Sequence, residues 1–256
     1  MIQISAVIIT FNEEKNIERC LRSLLGIADE IVVLDSVSTD RTKEICSGFN
    51  VKFVEQPFLG YIHQKNKALE FASYPIVISL DADEALSETL SQSIKIVKDN
   101  WTADGYYFNR LTNYCGKWIH HSDWYPDQKL RLWDTRKGKW DGQLIHEKVH
   151  MNKDAKLDHL SGDLLHFSFP SIDHHLDVLQ RFTTIMAQEY HQKGKKVNTF
   201  TLLFNPCWKF FKSYFIRLGF LDGYYGYVIA TLSANATFIK YLKLRELYKF
   251  CLPVDK

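Results

Sequence analysis

The chain has 256 residues, 46% of them hydrophobic, and carries 32 Lys and Arg against 30 Asp and Glu for a net charge of +2. That length and apolar content allow one large domain, or a domain with an extension, and exclude a chain that is disordered throughout. The charge is nearly balanced and dispersed, which excludes the footprint of a nucleic-acid binder, so no nucleic-acid partner is expected.

Ile4 to Thr10 is a β-branched run that stops at Phe11-Asn12. Behind it Ile17, Leu21, Leu24 and Leu25 recur at helical spacing, with Asn12 as the candidate cap. The scheme then repeats. Glu30 to Asp35 predicts a buried strand, residues 36–40 a turn, and Arg41 to Ser47 a helix. Val51 to Glu55 predicts a third strand, Gln64 to Ala72 a third helix, and Ile76 to Leu80 a fourth strand ending at Asp81. Strands alternating with helices predict an α/β fold, a mostly parallel sheet flanked by helices, with ligands bound outside the carboxyl ends of the strands. Phe11, Asp35 and Asp81 all stand at such ends.

Farther along, Ile145, Glu147, Val149 and Met151 alternate with His146, Lys148 and His150 as in a strand. An amphipathic helix is expected from Asp173 to Gln192, closed by Gly194. Next come a helix started by Pro206, a turn over 219–223, and a last helix to Lys249 with Pro253 beyond it. The most apolar stretch, Tyr224 to Ile239, is interrupted by Gly226, Ser233 and Asn235, short of the run of about 18 apolar residues that a membrane-spanning helix needs. The N-terminus enters a strand without the basic and apolar regions of a secretory leader. The five cysteines, Cys20, Cys46, Cys115, Cys207 and Cys251, form no C-x-x-C pair, so reduced thiols in a cytoplasmic protein are expected.

The segment Val77-Ile-Ser-Leu-Asp81-Ala-Asp83-Glu84 runs an apolar strand into two carboxylates one residue apart. In extended backbone Asp81 and Asp83 share a side and can share a divalent cation, whose shell substrate phosphates commonly complete. An aromatic ring and two carboxylates at neighbouring strand ends suit a base, a ribose and a metal diphosphate. No Gly-x-Gly-x-x-Gly and no Gly-x-x-x-x-Gly-Lys-Ser/Thr occurs, so metal and basic side chains must meet the phosphate charge.

Four blocks, Ser5-Ala-Val-Ile-Ile-Thr-Phe-Asn-Glu13, Val33-Leu-Asp-Ser-Val-Ser-Thr-Asp-Arg-Thr42, Gln64-Lys-Asn66 and Ser79-Leu-Asp-Ala-Asp-Glu84, resemble in order and spacing those of the family 2 glycosyltransferases. The likeness extends through Asp127-Gln-Lys-Leu-Arg-Leu-Trp133, Ile145-His-Glu147 and Gly219-Phe-Leu-Asp-Gly223, which look like the branch holding lipopolysaccharide-core β-glucosyltransferases. Val37 departs from the glycine usual there. The resemblance implies an A-type nucleotide-sugar-binding fold, with a catalytic domain over 1–170 and a helical extension over 171–256.

The resemblance also implies roles. Phe11 would stack near a uracil, Asp35 would accept from the base N–H, and Lys65 would meet base or phosphate, with Glu13 in the same nucleotide-sugar set. Asp81 would meet ribose or metal, and Asp83 would be the direct ligand of Mg²⁺ or Mn²⁺. Arg131 would contact diphosphate, or else pair with Asp127 or Asp134. Glu147 is the candidate base for an inverting displacement, with Asp123 and Asp127 as its competitors in an aromatic acceptor loop. The implied partners are a UDP-sugar donor and a lipid-linked or lipopolysaccharide-core glycan acceptor. Phe204 to Arg217 mixes aromatics with Lys and Arg, as at a lipid headgroup boundary, so peripheral contact with the cytoplasmic face of an inner membrane is expected.

Three other readings stay open. His146-Glu147-x-x-His150 matches the zinc metalloprotease pattern, although on a strand its two histidines would lie about 13 Å apart. A nucleotidyltransferase would use a similar sheet but lacks its glycine-rich loop here, and a non-catalytic nucleotide- or glycan-binding relative would bind without transfer.

Overall fold

The computed structural model describes residues 1–142 and 147–250, so Ile145, His146, Cys251 and Pro253 lie outside the described residues. In chain order the elements are β1 Ile4–Thr10, α1 Ile17–Leu24, β2 Glu30–Asp35, α2 Thr42–Ser47, β3 Lys52–Glu55, α3 Tyr61–Glu70, β4 Ile76–Asp81, β5 Glu84–Leu86, α4 Glu88–Asp99 and β6 Gly105–Tyr114. They continue as β7 Lys117–Ile119, β8 Asp127–Asp134, β9 Gly138–Asp141, β10 Lys148–Met151, β11 Leu157–Phe169, α5 Ile172–Gln192, α6 Thr199–Phe211 and α7 Gly223–Phe250. The chain divides into two compact units, one of Met1–Leu111 with Asp127–Phe167, the other of Thr112–Pro126 with the chain from Ser168 on.

In the first unit β1, β2, β3 and β4 pair in parallel, with Thr10 opposite Asp35 and Ile9 opposite Asp81, so the carboxyl ends of β2, β1 and β4 are neighbours in register. Beyond β4 the sheet turns antiparallel through β8 and β6, and β11 pairs antiparallel with β5. The pleat sorts the side chains. Ile4, Ala6 and Ile8 of β1 pack with Ile17 and Leu21 of α1 and with Leu90 and Ile94 of α4, whereas Val7 joins Val32, Leu34 and Ala68 of α3 on the opposite face.

The parallel elements fall where hydrophobic periodicity predicts them. Asn12 is not a cap. It takes a left-handed φ of 54°, its N–H donates to Ser38 Oγ at 2.8 Å, and its Oδ1 accepts from Thr39 N–H at 2.8 Å. It thereby clips the loop after β1 to the loop after β2. α3 begins three residues before the expected Gln64, behind Gly60 with φ of 108°.

In the second unit Tyr114, Ile119 and Ile229 form a small core with Trp124, Phe169 and Tyr225 around them. These contacts group residues 112–126 with the C-terminal helices. Ser171 caps α5, accepting from His174 N–H at 3.1 Å. Asn198 caps α6, accepting from Thr201 N–H at 2.7 Å, so Pro206 sits inside that helix rather than at its start. A π-helical turn, Lys212–Ile216, and a short 3-10 turn, Gly219–Asp222, lead into α7. Among the described residues no helix is long and apolar enough to cross a membrane.

Candidate active site

The site of the first unit is built on the strand ends. Phe11, just past β1, is 56% exposed, a free ring face at the sheet edge. Asp35, the last residue of β2, is fully buried and turns both oxygens to the next turn, accepting from Ser38 N–H at 2.7 Å and from Ser38 Oγ at 2.5 Å. Within that turn Val37 has φ of 65°, the left-handed region that a β-branched residue enters at a cost. Asp40 ties the two loops together, accepting from Glu14 N–H at 3.0 Å and from Thr42 Oγ1 at 2.6 Å.

The three consecutive residues Gln64-Lys65-Asn66 of α3 each reach a different element. Gln64 Nε2 donates to Ser36 Oγ at 3.1 Å, and Asn66 exchanges hydrogen bonds of 2.9 and 3.1 Å with the backbone of Trp140 in β9. Lys65, only 3% exposed, places Nζ 3.0 Å from Asp81 and 3.5 Å from Glu147, and 4.4 Å from the centre of the Trp140 ring. Trp140 fixes the ammonium on its face, so the two carboxylates meet one positioned cation.

Asp81 has a second cationic partner, Arg131 of β8, at 3.0 Å. Burial pushes the Asp81 carboxyl up, but the Lys65 and Arg131 charges outweigh it and hold it below the usual carboxylate range. Arg131 also donates to Glu84 at 2.8 Å, and Arg110 of β6 approaches the same Glu84 oxygen at 3.4 Å. Glu84 is fully buried and its other oxygen accepts from Asp81 N–H at 3.1 Å. It fastens the strand end that carries Asp81, a role that the pattern Asp-x-Asp-Glu does not announce. Its arginine partners come from other strands.

Asp83 stands apart in the turn between β4 and β5. His166 of β11 places Nε2 3.2 Å from its carboxylate, while His166 Nδ1 is buried with no hydrogen-bond partner among the described residues. No residue pattern pointed to this histidine. Asp81 is met by the two protein cations Lys65 and Arg131, and Asp83 with His166 forms an oxygen and nitrogen donor pair of a kind that can hold a divalent ion. Among the described residues no three His, Cys, Asp or Glu side chains gather as a preformed metal cage.

Glu13 lies within electrostatic reach of Asp83, Asp40 and Asp81. Burial first, and then these like charges, push its carboxyl up to about 7 despite the hydrogen bond from Asn16.

The competing base candidates are occupied. Asp127 pairs with Arg110 at 2.7 Å and Lys129 at 2.9 Å; burial raises its carboxyl, but the two cations prevail and hold it low. Asp123 belongs to the second unit, where Arg217 Nε lies 2.7 Å from it, with Lys209 and Lys212 at 3.5 and 3.8 Å. Glu147 has Lys65 as its one ionic partner among the described residues and keeps 22% of its side chain exposed. His150 stands in β10, which pairs antiparallel with β9, so the segment from Lys148 is strand and lacks the helical face that a zinc H-E-x-x-H site requires.

A parallel β2-β1-β4 edge carrying an aromatic ring and carboxylates, continued by an antiparallel half that brings in Arg131 and joined by the Glu147 segment beside the β9-β10 pair, is the architecture of an A-type glycosyltransferase. The chain matches the model of Glycosyl transferase family 2 over residues 5–153 and belongs to that family. A glycosyltransferase of Rickettsia bellii is 32% identical, over 99% of this chain and 90% of its own. The lipopolysaccharide core biosynthesis glycosyltransferase LpsC of Rhizobium meliloti is 29% identical, over 95% of this chain and 92% of its own. The mannosyltransferase PcManGT from Pyrobaculum calidifontis, solved in complex with GDP-Man and Mn²⁺, shares the fold with a TM-score of 0.54 at 15% identity, covering 95% of this chain and 87% of that one.

Proposed function

We propose that the protein is an inverting, metal-dependent hexosyltransferase that moves a sugar, glucose in this reading, from a UDP-sugar to a lipopolysaccharide-core or related lipid-linked glycan. The observation that carries the reading is the single buried ammonium of Lys65 set between Asp81 at the nucleotide edge and Glu147. One cation thus couples a carboxylate on the donor side to a carboxylate that can serve the acceptor.

Phe11 offers its exposed face to the base, Asp35 backs the same edge, and Lys65 and Arg131 supply positive charge for the diphosphate. A divalent ion, Mg²⁺ or Mn²⁺, bound by Asp83 with His166 would neutralise the leaving diphosphate. Glu147 takes the proton from the acceptor hydroxyl as that oxygen forms its bond to the anomeric carbon and the bond to diphosphate breaks, so one displacement inverts the configuration. No protonating acid is needed on the leaving group, which departs as an anion. The likeness to LpsC supports a lipopolysaccharide-core acceptor, and the exposed aromatics of α6 support peripheral placement on the cytoplasmic face of the inner membrane.

Glu147→Gln, assayed for release of UDP from UDP-glucose in the presence of a lipopolysaccharide-core acceptor, is expected to lower the turnover number by 100-fold or more while UDP binding stays within about twofold. Wild-type turnover unchanged by this substitution would remove Glu147 as base. Binding of UDP without any transfer would favour the non-catalytic reading.

A further inference from the structure

The second unit holds a polar cavity of about 440 Å³ that the transfer chemistry does not use, with His120, His121, Asp123, Ile216, Arg217 and Leu218 in its wall. The wall is tied together by backbone. Ser122 N–H donates to Arg217 O at 3.0 Å, and Ser213 Oγ donates to Ser122 O at 3.2 Å. Asp222 accepts from the N–H groups of the lining residues His120, at 3.2 Å, and His121, at 2.9 Å. Three non-glycine residues here, Ser122, Asp123 and Leu218, take left-handed φ of 64°, 66° and 54°. Such conformations cost roughly 1–3 kcal/mol each and cluster where a ligand is clamped.

Charge converges on the same wall. Arg217, Lys209 and Lys212 gather on the one carboxylate of Asp123, which leaves this group of four side chains with an excess of positive charge. Arg217 lines the cavity and is 56% exposed, and Lys212, 40% exposed, stands 3.8 Å from the lining carboxylate of Asp123.

An apolar ladder leads up to the cavity. Phe200, Phe204, Trp208 and Phe211 of α6 and Phe215 of the π-helical turn recur at spacings of three and four. Their successive ring centroids lie 5.2, 6.4, 5.9 and 5.3 Å apart, and each of these residues is about half exposed or more. Ile216 and Leu218, also exposed, carry the apolar stripe into the cavity wall itself. A contiguous exposed stripe of this kind marks an interaction surface, and aromatic rings bordered by Lys and Arg match the headgroup zone of a bilayer.

We infer that the cavity seats the phosphate-bearing headgroup of an acidic membrane lipid while the aromatic ladder lies at the headgroup and acyl boundary of the same leaflet. The inference rests on the reading above only in placing this unit at a bilayer, and the nucleotide site takes no part in it. The charge excess beside Asp123 selects a phosphate anion, and the ladder selects a lipid over a soluble phosphate ester.

The test is co-sedimentation of the full chain with vesicles of phosphatidylcholine alone and of phosphatidylcholine with added phosphatidylglycerol. Acidic vesicles should bind at least tenfold more tightly. Lys212→Gln and Arg217→Gln should each weaken acidic-vesicle binding about fivefold and leave neutral-vesicle binding nearly unchanged, as expected for one cation near a charged surface. Phe204→Ser with Trp208→Ser should weaken binding to both. Because Arg217 holds Asp123 at 2.7 Å whereas Lys212 stands farther off at 3.8 Å, Lys212→Gln keeps the test decisive if Arg217→Gln disturbs the loop. Equal binding to neutral and acidic vesicles, no vesicle binding, or acidic-vesicle binding indifferent to Lys212→Gln would overturn the inference. So would competition by free glycerol phosphate as strong as that by the lipid. Calorimetric binding of UDP, measured on the same variants, reports separately on the transferase reading.

Discussion

Glu13 shows how a single side chain carries the state of the site. Its carboxyl titrates near 4.5 in ordinary surroundings and is pushed up to about 7 here, by burial first and by Asp83, Asp40 and Asp81 after it. The folded protein therefore binds the extra proton between those values. This group's contribution to stability is full below about pH 4.5 and is lost as pH rises to about 7, a swing of about 3 kcal/mol at most. Denaturant titration of Glu13→Gln should show a protein more stable than wild type at pH 8, with the gap closing towards pH 4.5; a constant gap would contradict the assigned burial. Val37, at φ of 65°, predicts a change that does not depend on pH. Val37→Gly should raise stability by about 1 kcal/mol in the same titration, because glycine enters the left-handed region without the Cβ clash. Glu84→Ala should cost about 3 kcal/mol, since it removes one of the two carboxylates that meet the buried Arg131 and the acceptor of Asp81 N–H.

At the scale of elements, close approach sets the limits. Gly162 of β11 has φ of 100°, and a Cβ there would lie 2.3 Å from Leu90 N and 2.6 Å from Leu90 Cα at the start of α4. Gly162→Ala combines a forbidden contact with a strained φ, and thermal unfolding should show a loss of about 2 kcal/mol or more, where an ordinary exposed strand position would lose a few tenths. The sequence made the elements of the parallel half legible because each strand there is an apolar run closed by a polar turn, and each of those helices keeps its own period. Phe11, Asp35 and Asp81 could be placed together for that reason: they end strands, and parallel strands align their ends. What came next was not legible in the same way. Glu84 has no local pattern that ties it to Arg110 and Arg131, 26 and 47 residues away, which β6 and β8 bring to it. His166 has no local pattern that ties it to Asp83. Asp123 suggested an acceptor-side acid because it lies among aromatics, but its three cations arrive from α6 and the turns beyond, roughly ninety residues later in the chain.

At the scale of the whole molecule, the first unit supplies a sheet whose parallel half gathers Phe11, Asp35 and Asp81 at its strand ends and whose antiparallel half adds Arg110, Arg131 and His166, with Glu147 beside the separate β9-β10 pair. The second unit supplies a helical body with an exposed aromatic face. The central claim is that the first unit binds a uridine nucleotide through a metal at Asp83. Calorimetry with UDP, ADP and GDP, in Mn²⁺ and then in excess EDTA, on the wild type and on Asp83→Ala, tests it most directly. The account predicts UDP binding at least tenfold tighter than ADP or GDP, abolished by EDTA and by Asp83→Ala. UDP binding that survives both treatments, or the absence of nucleotide binding under every condition, would contradict it.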